Sequence, residues 1–142
     1  GASRCPGSNR RTDVVADFDT RAISTIRGIA MDGPHAARSG HQGTAMSLAP
    51  LAHVLFTRVL KYDASRPDWA DRDRFVLSVG HASILQYAML HLAGFGLTLD
   101  DLKDFRQWGS ATPGHPDVGP TAGVEVIKVT TKSVCTGAPF EV

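Results

Sequence analysis

Residues 75–94 have the sequence FVLSVGHASILQYAMLHLAG, and this stretch decides the fold class that we predict. Its first six residues form a short apolar run bounded by charge and by glycine, which is typical of a buried strand in a parallel sheet. A helical pattern then runs from Ala82 to Ala93 and is closed by Gly94. The order strand, glycine, histidine, helix predicts an α/β fold.

This order places His81 at the carboxyl end of the predicted strand and at the N-terminus of the predicted helix. Open α/β sheets bind ligands at that edge, and the backbone amides of a helix N-terminus favour phosphate. His81 therefore has two interpretations, a ligand-binding residue or a packed polar residue.

Two further histidines lie beside glycines. His41 lies in RSGHQG, residues 38–43, and His115 lies between Gly114 and Pro116 in a loop with four glycines and three prolines over residues 109–123. A glycine turn lets a ligand approach the backbone, and an imidazole can donate or accept a hydrogen bond near neutral pH. Either residue alone is equally compatible with a polar loop. Three such histidines in three loops favour one shared site.

The N-terminal third of the sequence is predicted to form a flexible arm followed by a helix. Residues 1–18 have neither helical nor strand periodicity, so we expect a flexible arm there. Asp19 is a candidate N-cap for a helix, and Gly33-Pro34 is expected to kink or stop that helix. The helix's apolar positions, expected to face the core, are Ile23, Ile26, Ile29 and Ala30.

A second helix is expected from about Ser47 to Lys61, with Pro50 in its first turn. Its apolar stripe, expected to be mostly buried, consists of Leu48, Leu51, Leu55, Phe56, Val59 and Leu60. His53 lies beside this stripe and is interpreted as a surface histidine or a satisfied core histidine. Residues 61–74 balance acidic and basic side chains and are interpreted as a solvated connection.

The last third predicts a short helix, a loop and a β-type segment. Thr98 and Asp101 have the spacing of a capping box at the start of a short helix. Residues 124–130, VEVIKVT, have the pattern of a β-strand. An incomplete parallel sheet has an open edge, so we expect self-association unless this segment closes the edge.

The composition predicts one globular domain whose net charge is too small to attract nucleic acid or an anionic membrane. The chain has 142 residues, 42% of them hydrophobic, with 15 basic and 14 acidic side chains. A net charge of +1 and only three arginines in the arm disfavour a nucleic-acid module, and no apolar run approaches the roughly 20 residues of a membrane helix. Cys5 and Cys135 do not have the spacing of a zinc site. Two cysteines could form one disulfide, but we expect the protein to lie in the reducing cytoplasm.

Four stretches resemble the amino-terminal, cofactor-diphosphate-binding region of transketolases in the family's order, over residues 22–125. They are SGHQGTAMSLAPLAHVLF, ADRDRFVLSVGHAS, FGLTLDDLKDFRQWGSATPGHP and TAGVE. The resemblance implies a doubly wound, mainly parallel sheet flanked by helices, with the site between two subunits of a homodimer. It also implies transfer of a two-carbon ketol unit between sugar phosphates, in the pentose phosphate pathway, with thiamine diphosphate and magnesium as cofactors.

The resemblance also implies roles for individual residues. His41 and His115 would be catalytic, lying by the thiazolium and the first hydroxyl of the donor sugar. His81, Gly80 and Gly114 would bind the cofactor, with His81 at its diphosphate. Arg106 would be a supporting residue. No metal ligand is assigned.

The chain departs from the family after residue 125. Residues 126–142, VIKVTTKSVCTGAPFEV, form a divergent tail in place of a glycine-rich turn, and the chain has no Gly-Asp-Gly motif for magnesium. Gln42 replaces a proline that is common in the family. Residues 19–125 are thus interpreted as a transketolase-like, diphosphate-binding region, and we expect that the isolated chain does not retain the cofactor. Two interpretations remain: part of an enzyme whose remainder is supplied elsewhere, or a non-catalytic relative that acts as an interaction module.

Overall fold

The computed structural model describes residues 10–117, 119 and 121–125. These residues form helices α1 (Arg10–Ala36), α2 (Gly43–Val54), α3 (Ser83–Leu92) and α4 (Leu99–Lys103). A π-helical turn, Leu55–Val59, extends α2, and a 3-10 turn, Gly80–Ala82, precedes α3. No helix in this part of the chain has the length and hydrophobicity that a membrane span requires. Cys5, Cys135 and the predicted tail lie outside the described residues.

Helices α1, α2 and α3 pack against one another through small side chains. Every residue of α3 from Ser83 to Leu90 is buried. The face of α2 in the core consists mainly of Ala45, Ala49 and Ala52. A methyl group added at Gly33 of α1 would lie only 2.8 Å from Ile84 Cδ1. Gly33 therefore allows α1 and α3 to approach closely.

Helix α1 differs from its prediction at its start. Residues 10–18 are helical, so the arm expected through residue 18 is wrong from Arg10 onward. Asp19 lies inside the helix and is therefore not its N-cap. Its carboxylate instead accepts hydrogen bonds from His53 and Arg58. A helix that is already formed extends easily, because each further residue adds one backbone hydrogen bond and only its own backbone has to be ordered. Gly33-Pro34 falls in the last turn, and the helix ends two residues later.

Helix α2 begins at Gly43, four residues before its predicted start, so Pro50 lies in its interior. The predicted buried stripe is wrong for Leu51, which is 56% exposed, and for Val59, which is 61% exposed. The alanine face takes their place because small side chains permit a closer helix contact. Phe56 is buried as expected.

The strand predicted over residues 75–79 is not confirmed in the part of the chain that the structure describes. These residues have no regular secondary structure, with a bend at Ser78, and no described segment pairs with them in a ladder. A strand needs a hydrogen-bonded neighbour, whatever its hydrophobic pattern. Phe75 is instead held by side-chain packing, with its ring centroid 5.3 Å from that of Phe56. Of the predicted β segment 124–130, Val124 and Glu125 are described and are not in a strand.

The predicted end of α3 at Gly94 and the predicted start of α4 are confirmed. Gly94 follows α3 with a φ of 85°, and the Thr98–Asp101 capping box begins α4. The connection over residues 61–74 is less solvated than expected. The side chain of Arg72 is only 7% exposed, and it pairs with Glu125.

The contact between α1 and α3 generates a test with a control in the same helix. Gly33→Ala should lower the free energy of unfolding by about 1–3 kcal/mol, because the added methyl overpacks the contact with Ile84. Gly28→Ala should raise it by about 0.5–1 kcal/mol, because Gly28 has open space and alanine favours the helix. Urea unfolding measures both values. A Gly33→Ala variant as stable as Gly28→Ala would contradict the close packing.

Candidate functional site

The structure brings the three glycine-associated histidines together. The ring centroids of His41 and His81 lie 5.0 Å apart, in an edge-to-face arrangement with a 64° angle between the rings. His115 lies close enough that the charges of His41 and His81 both act on its pKa. Three loops that are far apart in sequence therefore meet in one place.

His41 lies on the turn between α1 and α2. Gly40 in this turn has a φ of 120°, and a methyl group added there would lie 3.2 Å from Pro34 Cβ. Both facts favour glycine at this position. The side chain of Gln42 donates a hydrogen bond to the Met31 carbonyl at 2.7 Å, which anchors the end of the turn to α1.

His81 lies in the 3-10 turn that leads into α3, next to the buried Gly80. Its Nε2 is 3.3 Å from Thr44 Oγ1, in the first turn of α2. The expectation that His81 lies at a helix N-terminus is thus confirmed. The expectation that it ends a strand is not confirmed in the described residues.

Helix α3 also holds the His115 loop. Ser83 Oγ donates to the Gly114 carbonyl at 2.8 Å, and Tyr87 Oη donates to the Pro113 carbonyl at 2.9 Å. Burial, followed by the charge of Asp117, raises the pKa of Tyr87, so its hydroxyl stays protonated and available as a donor. Ser83 and Tyr87 are four residues apart and share one face of α3. Sequence reasoning missed both, although their helical spacing was visible.

His115 is half-buried, and its Nε2 is fully buried without a hydrogen-bond partner among the residues that the structure describes. Burial lowers the pKa of His115, and the charges of Arg106, His81 and His41 lower it further. A neutral imidazole has one donor and one acceptor nitrogen. Burial and neighbouring charge thus favour the neutral form of His115, which has an unused buried polar atom near the other two histidines.

Arg106 lies against the His115 loop. Its backbone N–H donates to the Thr112 carbonyl at 2.9 Å, and its φ is 64°, which is uncommon outside glycine. A methyl group added at Gly114 would lie 3.0 Å from Arg106 Cζ. The guanidinium therefore packs directly over Gly114.

His53 belongs to a separate cluster. It is buried, its Nε2 is 2.8 Å from Asp19 Oδ1, and Asp19 also pairs with Arg58. The hydrogen bond from His53 is the main cause that lowers the pKa of Asp19. The interpretation of His53 as a satisfied core histidine is confirmed.

Comparison with known proteins assigns the family. A sequence profile described as "Transketolase, thiamine diphosphate binding domain" matches residues 18–137. The chain belongs to the transketolase family. The resemblance predicted from the four sequence stretches is thereby confirmed, and the meeting point of the three histidines lies within a transketolase domain.

Individual transketolases show how much of the family's length is covered. The probable transketolase of Schizosaccharomyces pombe is 58% identical over 101 residues, which is 71% of this chain and 15% of that relative. The structure is similar to a transketolase from Leishmania mexicana, with a TM-score of 0.74 and 55% identity over 76% of this chain and 16% of that one. A Pichia stipitis transketolase in complex with sedoheptulose-7-phosphate gives a TM-score of 0.72 and 51% identity over 74% of this chain and 15% of that one. The chain thus spans about 15–16% of the length of these relatives.

The residues around the three histidines fit the organic cofactor of the family in their donor set. A helix N-terminus beside His81 suits a diphosphate, and the unpartnered Nε2 of His115 suits a polar group of a bound molecule. They do not fit a metal ion. Within residues 10–117, 119 and 121–125, no three His, Cys, Asp or Glu side chains form a group that could hold one.

The lowered pKa of His115 can be tested through the pH dependence of stability. Because the folded pKa lies below its usual value of 6.5, the unfolded chain binds more protons as the pH falls through that value, and folding loses stability. His115→Gln should reduce the loss of urea midpoint between about pH 7.5 and about pH 5.5. Equal pH dependence in the variant and the unsubstituted chain would contradict the environment described for His115.

Proposed function

We propose that this chain supplies the diphosphate-side residues of a thiamine diphosphate site for ketol transfer between sugar phosphates. In this proposal His41 and His115 are catalytic, His81, Gly80 and Gly114 bind the cofactor, and Arg106 supports the His115 loop. The observation that carries the proposal is the buried, unpartnered Nε2 of His115 beside a glycine that α3 holds in place.

Each side chain has a task that follows from its surroundings. His81, at the N-terminus of α3, binds the negative diphosphate, because an imidazole N–H and the helix amides both offset negative charge. Thiamine diphosphate, when bound, supplies the electron sink that amino-acid side chains lack. His115, held neutral, accepts a hydrogen bond from a hydroxyl of the donor sugar and assists the transfer of that hydroxyl's proton. His41 orients the same end of the sugar from the adjoining turn.

The remaining parts of the site come from elsewhere in this proposal. Magnesium takes its ligands from outside the described residues, and a homodimer with a doubly wound, mainly parallel sheet completes the site. The Pichia stipitis relative in complex with sedoheptulose-7-phosphate supports sugar phosphates as substrates. The reaction belongs to the cytoplasmic pentose phosphate pathway. The 142-residue chain alone neither retains the cofactor nor turns over.

The exposed apolar side chains support a second candidate function, a non-catalytic interaction module. Leu51, Val59, Leu92 and Trp108 are exposed, and Trp108 is fully so. Exposed apolar side chains contribute to interaction surfaces where several of them lie together. The two functions differ in what they require of the histidines: catalysis needs His115, whereas an interaction module does not.

A hybrid enzyme tests the proposed function. Residues 22–125 replace the matching segment of the Schizosaccharomyces pombe relative, and ketol transfer from xylulose-5-phosphate is measured with thiamine diphosphate and magnesium. We expect an active hybrid whose kcat falls about 100-fold or more on His115→Ala, as is usual for loss of acid–base catalysis. His91→Ala, in the last turn of α3 and so at the opposite end of that helix from His81, should leave kcat unchanged.

Two results would contradict the proposal. One is a folded, cofactor-loaded hybrid without ketol transfer, which would favour the interaction module. The other is an active hybrid that is insensitive to His115→Ala. Circular dichroism and cofactor content separate both results from a failure to fold.

A further inference from the structure

The side chain of Arg106 lies beside both glycine turns that carry a proposed catalytic histidine. A methyl group added at Gly40 would lie 3.5 Å from Arg106 Cδ, and one added at Gly114 would lie 3.0 Å from Arg106 Cζ and 3.2 Å from Nε. Gly40 directly precedes His41, and Gly114 directly precedes His115. The aliphatic part of one side chain thus lies next to the first turn, while its guanidinium packs against the second.

The backbone of Arg106 is fixed in a conformation that arginine rarely adopts. Its φ of 64° is in the left-handed region, and its N–H donates to the Thr112 carbonyl, three residues before His115. A non-glycine residue keeps such a conformation only when the surrounding structure enforces it, and such residues are concentrated at functional sites. The hydrogen bond to Thr112 ties the base of the arginine to the loop that its guanidinium covers.

The charge of Arg106 is not neutralised by the neighbouring protein. Within the described ranges, its guanidinium has neither an ion pair nor a hydrogen bond, although other arginines pair with carboxylates. Arg106 is half-buried, so solvent screens its field less than on an open surface. The groups that oppose protonation of His115 by their charge are Arg106, His81 and His41, and Arg106 is the largest of the three.

We propose that Arg106 is a positioning residue that clamps the Gly40–His41 turn and the Gly114–His115 turn together, so that the orientation of both histidines depends on one side chain. Its charge has a second effect, because it favours the neutral form of His115. The packing needs the length and planarity of arginine, whereas the charge alone is also present in lysine. The catalytic consequence rests on the proposed function, but the clamp itself requires no cofactor.

Two substitutions in the full 142-residue chain separate packing from charge. Arg106→Met keeps the aliphatic contact but removes the planar group and the charge. Arg106→Lys keeps the charge but removes the planar contact with Gly114. Histidines labelled with ¹³C at Cε1 are titrated by NMR without cofactor, so that a failure of the clamp leaves the proposed transketolase site untouched. His53, in its separate cluster with Asp19 and Arg58, is the internal control.

We expect the ring signals of both His41 and His115 to move or broaden in both variants, while the signal of His53 stays in place. The pKa of His115 should rise towards its usual value in Arg106→Met and stay lower in Arg106→Lys. Unchanged amide shifts in α1 and α3 confirm the fold, and the lysine variant tests the clamp if the methionine variant does not fold. A change at His115 without any change at His41, or no change at either, would overturn the clamp.

Discussion

The burial of α3 from Ser83 to Leu90 is the constraint on which the rest of the structure depends. A helix buried along most of its length cannot shift or rotate without disturbing its neighbours, because protein interiors are close-packed. Its N-terminal turn therefore presents His81 from a fixed position, and its Ser83 and Tyr87 hydroxyls fix the backbone just before His115. The site thus rests on a rigid element, although its histidines lie on loops.

Small residues make this burial possible. Gly33 and the alanines of α2 let the flanking helices approach α3 closely, so their connecting turns, including the one that carries His41, lie near its N-terminus. The burial is not purely apolar. Gln86 is fully buried, and its amide atoms have no hydrogen-bond partner among the described residues, which costs stability. Packing along the rest of α3 offsets that cost.

Local signals in the sequence predicted much of the site. The glycine beside each histidine, the helical pattern of α3 and the Thr98–Asp101 capping box are all short-range features, and they appear where the sequence indicates. The long-range contacts could not be predicted in this way. Asp19 and His53 are 34 residues apart, and Arg72 and Glu125 are 53 apart, so no pattern within one element points to either pair. The same holds for Arg106 and Gly40, which meet only in the fold.

The two main misassignments have different physical causes. The apolar pattern of residues 75–79 is a necessary condition for a buried strand, but pairing requires a neighbouring strand, and no described segment provides one. The stripe predicted on α2 followed the largest apolar side chains, whereas the helix packs through its smallest. Hydrophobicity alone does not determine which face of a helix is buried when close approach decides the contact.

In this structure the histidine turns meet at the N-terminus of α3. A nuclear Overhauser experiment between ring protons can detect that meeting in solution. The structure predicts a cross-peak between His41 and His81, whose centroids are 5.0 Å apart, and one between the core rings of Phe56 and Phe75, at 5.3 Å, as a reference for the folded chain. A Phe56–Phe75 cross-peak without the His41–His81 cross-peak would contradict the claim.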